Sequence, residues 1–201
     1  MNREKFFAKF VETVTEEELL EVHDAYWLAK RVHQDQKRDN GERYFEHCRR
    51  VALVLMSLES ITAKTLIVSL LHDCLEDGFI NSRIIERLFG KEILNAIEIL
   101  SKTSPIFYPN GFLKKREPKT IKDYHEGIAS APEWIRKIKL ADRIDNLNGL
   151  ESWEEEKKKR YVENTEVYLL PIARNTNPEL TLKLESLCEK IKNDLIAKSA
   201  I

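Results

Sequence analysis

The sequence predicts an all-α fold, a compact bundle of several helices. Three observations carry that expectation. Apolar residues recur at three- and four-residue spacing through most of the chain. Glycine and proline number only six each in 201 residues. No segment shows the strict alternation of a half-buried strand. With 42% hydrophobic and 33% charged side chains, the chain has the composition of one globular domain covering residues 1–201.

Each element has its own signal. Residues Glu4 to Val14 read as a short amphipathic helix, and Thr15-Glu16-Glu17-Glu18 is a capping box that opens a longer one to about Gln36. Lys37 to Gly41 breaks it with the turn residues Arg38-Asp39-Asn40-Gly41. Tyr44 to Leu58 and Ile61 to Glu76 are the next helices. Asn81 or Ser82 caps a helix to Phe89 with Gly90 as its stop, and Glu92 to Lys102 forms another. Thr103 to Lys119, with three prolines and Gly111, reads as the one long irregular segment, and a loop of that length in a compact domain is a functional candidate. Helices follow at Thr120–Ala129, Glu133–Leu150, about Lys158–Ala173 and about Glu179–Ala197, the last packing across the bundle. The motif-bearing core covers about residues 20–175.

Composition narrows the function classes. The formal charge of −1 does not point to nucleic acid or to an anionic membrane. Cys48, Cys74 and Cys188 are an odd number at unrelated spacings and fit reduced thiols better than a disulfide framework. The N-terminus lacks a signal-peptide apolar core, and Thr65 to Leu71 is too short to span a bilayer. A cytoplasmic protein acting on a small molecule is the expectation.

The chemistry concentrates where an apolar helix ends. Ile61, Ala63, Leu66, Ile67, Val68, Leu70 and Leu71 leave that helix almost no polar face, which places it at the centre of the bundle. His72, Asp73, Glu76 and Asp77 follow at once. Buried charge must be paired or bound to a cation, and carboxylates near a helix C-terminus face the negative end of its dipole. His47 lies near the start of the preceding helix. Asp142 falls on a stripe with Ile135, Ile138, Asp145, Asn146 and Gly149. Singly, His47 reads as a hydrogen-bonded residue at a helix start, and Asp142 as the partner of Arg143 or a nearby lysine. Together, two imidazoles and two carboxylates make a mixed nitrogen–oxygen site suited to Mn²⁺, Fe²⁺ or Zn²⁺.

Those residues carry a resemblance. His47, then His72-Asp73, then Asp142 is similar to the H…HD…D signature of the HD phosphohydrolase superfamily. Arg38-Asp39-Asn40-Gly41-Glu42-Arg43-Tyr44-Phe45-Glu46-His47 resembles the R-x-x-G-x-x-Y-x-x-H element of the RelA/SpoT-type hydrolase domain, and His72 to Asp77 resembles its HD-x-x-ED box. Phe89-Gly90, Ser101-Lys102-Thr103 and Lys139 to Arg143 with Asn146 match in order. The resemblance implies a stand-alone small alarmone hydrolase. It implies Mn²⁺ held by His47, His72, Asp73 and Asp142, catalytic carboxylates at Glu76 and Asp77, and a nucleotide pocket contacted by Arg38, Asn40, Lys102 and Asn146. The implied reaction removes the 3′-diphosphate of guanosine tetra- or pentaphosphate, giving pyrophosphate with GDP or GTP. Alternatives keep the site and change the substrate to an adenosine alarmone, the 2′-phosphate of NADPH or a deoxynucleotide monophosphate, or retain nucleotide binding without turnover. The chain departs from the family's pattern at Cys48, where proline is common, and at Asp145, where many members have histidine. Asp145 adds negative charge near a polyanionic substrate.

Overall fold

The computed structural model describes residues 3–8, 14–58, 61–76 and 80–199. Helix α1 (Arg3–Phe7) sets Phe6 against Tyr26 of α2 (Glu16–Val32). The remainder of the helix expected from Glu4 to Val14 falls largely outside the described residues. Thr15 caps α2 reciprocally: its hydroxyl accepts the Glu18 N–H at 3.2 Å, and the Glu18 carboxylate accepts the Thr15 N–H at 2.9 Å. The inner face of α2 buries Val22, Ala25, Tyr26 and Ala29.

Helix α3 (Tyr44–Leu55) leads to the central helix α4 (Ala63–Leu71), in which every residue except Lys64 is buried. It is enclosed by α2, α3, α5 (Ser82–Leu100) and α7 (Glu133–Leu147). Leu70 and Leu71 are fully buried, and each such side chain contributes about 1.5–3 kcal/mol. The sequence reading carried this helix on to Glu76. Instead it ends at Leu71, and 72–76 form successive turns, with Cys74 N–H donating to Leu71 O at 3.0 Å and Glu76 N–H to Asp73 O at 3.2 Å. Glu76 finds its side-chain partner in Lys102.

Helix α5 joins the two helices expected around Gly90, whose φ of +82° makes a kink where an L side chain would be strained. The segment read as irregular is in fact a hairpin, β1 (Thr103–Phe107) against antiparallel β2 (Leu113–Pro118), with Ser104 opposite Glu117 and Pro105 opposite Arg116. This two-stranded ribbon lies outside the helical core, and the class remains all-α. Arg116 pins it by donating to both Glu98 oxygens at 2.9 and 2.5 Å and to Thr103 Oγ1 at 2.7 Å.

Helix α6 (Ile121–Ala129) precedes α7, which buries Ile135 and Ile138 at one end and Asp142 and Asp145 at the other. Then α8 (Glu155–Asn164), a π-helical turn (Thr165–Leu169) and α9 (Leu170–Arg174) run on from one another. Helix α10 (Pro178–Ser199) packs on α7, α8 and α9. Among the described residues no helix is long and apolar enough to cross a membrane.

Candidate metal centre and active site

Three helices bring four separated side chains to one point. His47 comes from the first turns of α3, His72 and Asp73 from the end of α4, and Asp142 from α7. His47 Nε2 lies 3.2 Å from Asp142 Oδ1 and 3.7 Å from Asp73 Oδ2. His72 Nε2 lies 3.1 Å from Asp73 Oδ2 and 3.7 Å from Asp142 Oδ1. The ligand atoms of His47, His72 and Asp73 fall within 4.8 Å of one another.

Both imidazoles are oriented from behind. His72 Nδ1 is 2.7 Å from the Ser69 carbonyl. A carbonyl only accepts, so Nδ1 carries the proton and the Nε2 lone pair of the neutral ring points inward. That Nε2 is buried and is left without a hydrogen-bond partner among the described residues, with an Asp73 oxygen 3.1 Å away. His47 Nδ1 is likewise taken, 2.7 Å from Asp145 Oδ2. An orphaned buried nitrogen beside a second imidazole and two carboxylate oxygens fits a divalent cation, whose borderline preference for nitrogen and oxygen donors matches this set.

The charges tell the same story. Burial alone would lower the His47 pKa, but the carboxylates of Asp142, Asp145 and Asp73 outweigh it and raise the imidazole to about 9. Burial pushes the Asp142 carboxyl up, yet Lys139 and the two histidines hold it well below the usual range. Lys139 Nζ donates to Asp142 Oδ2 at 2.7 Å, and Asn146 Nδ2 donates to Oδ1 at 2.6 Å. The Tyr44 hydroxyl donates to Asp73 Oδ2 at 2.6 Å. In sequence Lys139 is only the first residue of the Lys139 to Arg143 match, with no role assigned to it. Its position three residues before Asp142, on the same helical face, was the available signal.

The other expected residues divide. Glu76 stands beside the centre and is gripped by Lys102, whose main-chain N–H and Nζ both donate to it. Asn146 reaches Asp142, as above. Arg38 turns inward, donating to Asp145 Oδ2 at 2.9 Å and Asn146 Oδ1 at 2.6 Å, and its guanidinium lies beside Gly149. Asn40 is further out, its side chain accepting the Glu42 N–H at 3.0 Å in a turn. Asp77 lies outside the described residues. The charge that Asp145 was expected to add near a substrate is offset by Arg38 and by Arg50, whose Nε donates to Asp145 Oδ1 at 2.6 Å.

Beyond Lys102 opens a cleft of about 400 Å³ that the sequence reading did not single out. Lys102, Lys119, Arg143, Lys157 and Arg160 line it together with Tyr124, His125, Trp153 and Tyr161, and no Asp or Glu among the described residues does. Lys157 stands 3.6 Å from the Trp153 ring centre and Arg143 4.0 Å from that of Tyr161. In sequence Trp153, Lys157 and Arg160 sit within Glu151 to Arg160, a charge run that reads as a solvated turn and helix start.

A family model described as HD domain matches residues 25–175. The chain belongs to the HD-domain family. Within it, this HD-domain protein is 34% identical over 153 residues to a guanosine-3′,5′-bis(diphosphate) 3′-pyrophosphohydrolase of Aquifex aeolicus (strain VF5), covering 76% of this chain and 21% of the relative. It is 31% identical over 160 residues to the bifunctional (p)ppGpp synthase/hydrolase SpoT of Escherichia coli (strain K12), covering 79% and 22%. The chain thus spans about a fifth of the length of these curated relatives. A solved structure of a metazoan ortholog of SpoT, which hydrolyzes ppGpp and plays a role in starvation responses, superposes with a TM-score of 0.70 at 24% identity, over 85% of this chain and 94% of that one. The HD-domain protein is accordingly related to the RelA/SpoT-type hydrolases.

Proposed function

We propose that this HD-domain protein is an Mn²⁺-dependent phosphohydrolase that removes the 3′-diphosphate of guanosine tetra- or pentaphosphate, releasing pyrophosphate and GDP or GTP. The observation that carries the reading is the convergence of His47, His72, Asp73 and Asp142 beside a carboxylate, Glu76, that is held by Lys102 rather than turned into the ligand set. The names of the relatives above support the same substrate.

His47, His72, Asp73 and Asp142 would hold a divalent cation, which would supply Lewis acidity toward water and a phosphate oxygen. The chain's own groups do the remainder. Glu76 is placed to accept a proton from the water that adds to the proximal phosphorus of the 3′-diphosphate. The bond from that phosphorus to the ribose O3′ breaks, and O3′ leaves as the hydroxyl, the proton that Glu76 took from the water balancing the one O3′ gains. Lys102 keeps Glu76 oriented and faces the phosphates with its ammonium. The basic cleft beyond it, with cations lying on aromatic rings, accepts the rest of a multiply charged nucleotide. Arg38 and Asn40 are assigned base or phosphate contacts from the resemblance. Asp77 is assigned the second catalytic carboxylate from the resemblance.

The test is apo-protein reloaded with Mn²⁺ and offered guanosine and adenosine alarmones, NADPH and deoxynucleotide monophosphates side by side. Pyrophosphate from the guanosine substrates, lost in Asp73→Ala and Glu76→Ala, is the expected result. Orthophosphate as sole product, or saturable binding without turnover, would overturn it.

A further inference from the structure

The outer nitrogens of the two metal-facing imidazoles are held by different kinds of group. His72 Nδ1 meets a main-chain carbonyl, that of Ser69, at 2.7 Å. His47 Nδ1 meets a side-chain carboxylate, Asp145 Oδ2, at 2.7 Å, on the helix that also carries Asp142. Asp145 is buried, and both its oxygens are occupied. Arg38 Nη1 and Arg50 Nη2 donate to Oδ2 at 2.9 and 3.2 Å, and Arg50 Nε donates to Oδ1 at 2.6 Å. Arg50 is itself anchored on Glu42 at 2.6 Å. Nothing in the proposed reaction uses this carboxylate.

We propose that Asp145 is a positioning residue for the cation: it sets the His47 tautomer and ring angle so that the Nε2 lone pair faces the metal, and it strengthens that nitrogen as a donor. A carboxylate behind a metal-bound imidazole has this effect because it fixes the proton on the far nitrogen and feeds electron density into the ring. The two guanidinium groups keep the carboxylate from swinging round into the ligand set, where it would occupy a position that substrate or water needs. Arg38 extends the restraint to a second ligand, since it also holds Asn146, whose amide donates to Asp142 Oδ1 at 2.6 Å. One arginine therefore spans the outer partners of ligands on two helices. His72, held by its own backbone, does not depend on Asp145.

The inference rests on the metal centre and not on the nucleotide proposed above. Metal-stripped wild type, Asp145→Asn and Asp145→Ala are titrated with Mn²⁺ at fixed pH, and free ion is followed by electron paramagnetic resonance. Loss of an outer partner typically weakens a metal–histidine site by about 10–100-fold. Asp145→Ala is expected in that range, with Asp145→Asn, which keeps an acceptor oxygen and loses the charge, between it and wild type. Nitrogen-15 spectra of the metal-free proteins, taken above the His47 pKa of about 9 where its ring is neutral, add a readout that a merely structural role would not move. There His47 should lose its single Nδ1–H tautomer in Asp145→Ala, while the His72 Nδ1–H, donated to the Ser69 carbonyl, persists. Folded Asp145 variants that both bind Mn²⁺ as wild type does would overturn the inference; should Asp145→Ala fail to fold, the near-isosteric Asp145→Asn decides. A wild type that takes up no Mn²⁺ would remove the metal centre itself, a distinct outcome that also ends the functional proposal.

Discussion

Lys102 holds Glu76 at both carboxylate oxygens, its main-chain N–H donating to Oε1 at 2.6 Å and its ammonium to Oε2 at 3.0 Å. A general base needs a fixed position more than a strong partner, and the main-chain arm provides that whatever side chain stands at 102. Glu76→Gln is therefore expected to lower kcat by about 10²–10⁴-fold, the usual span for a lost acid–base group, with Mn²⁺ affinity unchanged. Lys102→Met retains the main-chain arm and should cost roughly 10-fold, the worth of one charge-assisted hydrogen bond, mostly in KM. Steady-state pyrophosphate release measures both. Wild-type kcat in Glu76→Gln would remove this carboxylate from the mechanism.

Metal uptake should be visible without any substrate. Only the folded chain assembles His47, His72, Asp73 and Asp142, so Mn²⁺ is expected to bind the native state selectively. At a hundredfold excess over Kd that stabilises it by about 2.7 kcal/mol. For a chain of this size the melting temperature then rises by about 5–10 °C. Calorimetry of stripped protein with and without Mn²⁺ checks this, and His72→Ala should abolish the shift. A melting point indifferent to Mn²⁺ in the wild type would contradict the metal assignment.

The pH dependence follows from His47. Its pKa, raised from 6.5 to about 9 in the metal-free protein by Asp142, Asp145 and Asp73 against the opposing effect of burial, means the folded chain binds that proton more tightly than the unfolded one. The resulting stability is complete below about pH 6.5 and is lost as pH climbs through about 9. A cation competes for the same nitrogen, so Mn²⁺ affinity runs the other way, rising across that window by about tenfold per pH unit for each proton displaced. Urea melts of the stripped protein at pH 6.5 and 9, and calorimetric titrations in buffers of different ionisation heat, measure the two halves. Mn²⁺ binding that releases no proton below pH 8 would refute the coupling.

What could be read beforehand depended on whether a residue's meaning was local. The apolar run ending in His72-Asp73 announces a buried helix with polar ligands at its end, since both facts lie within a dozen residues. The capping box at Thr15 is legible for the same reason. Asp145 is not. In the chain it is one more acid near a phosphate site, and only the fold shows His47, Arg38 and Arg50 gathered on it. The cleft residues Trp153 and Lys157 lie in the Glu151 to Arg160 charge run and Tyr161 just beyond it, and a cation over an aromatic ring has no periodicity of its own. The hairpin escaped for another reason. A two-stranded ribbon with neither face buried has no alternation to find, and Pro105 and Pro118 are tolerated because each strand has a free edge.

That hairpin yields the last prediction. Arg116 joins its second strand to Glu98 of α5 and to Thr103, the residue after Lys102, through Thr103 Oγ1 at 2.7 Å and Thr103 O at 3.0 Å. Loosening it should shift Lys102, and with it Glu76. Arg116→Met strands the Glu98 carboxylate and is expected to cost about 3 kcal/mol, the lower end for breaking a buried pair, because the Glu98 side chain keeps 22% exposure. The melting temperature should fall by about 6–12 °C, and kcat should fall with it. Adding Glu98→Gln removes the unpaired charge, so stability should largely return. The tie to Thr103 stays broken, so kcat should remain low. If kcat recovers in step with the melting temperature in the double variant, the hairpin matters to stability alone and does not place Glu76.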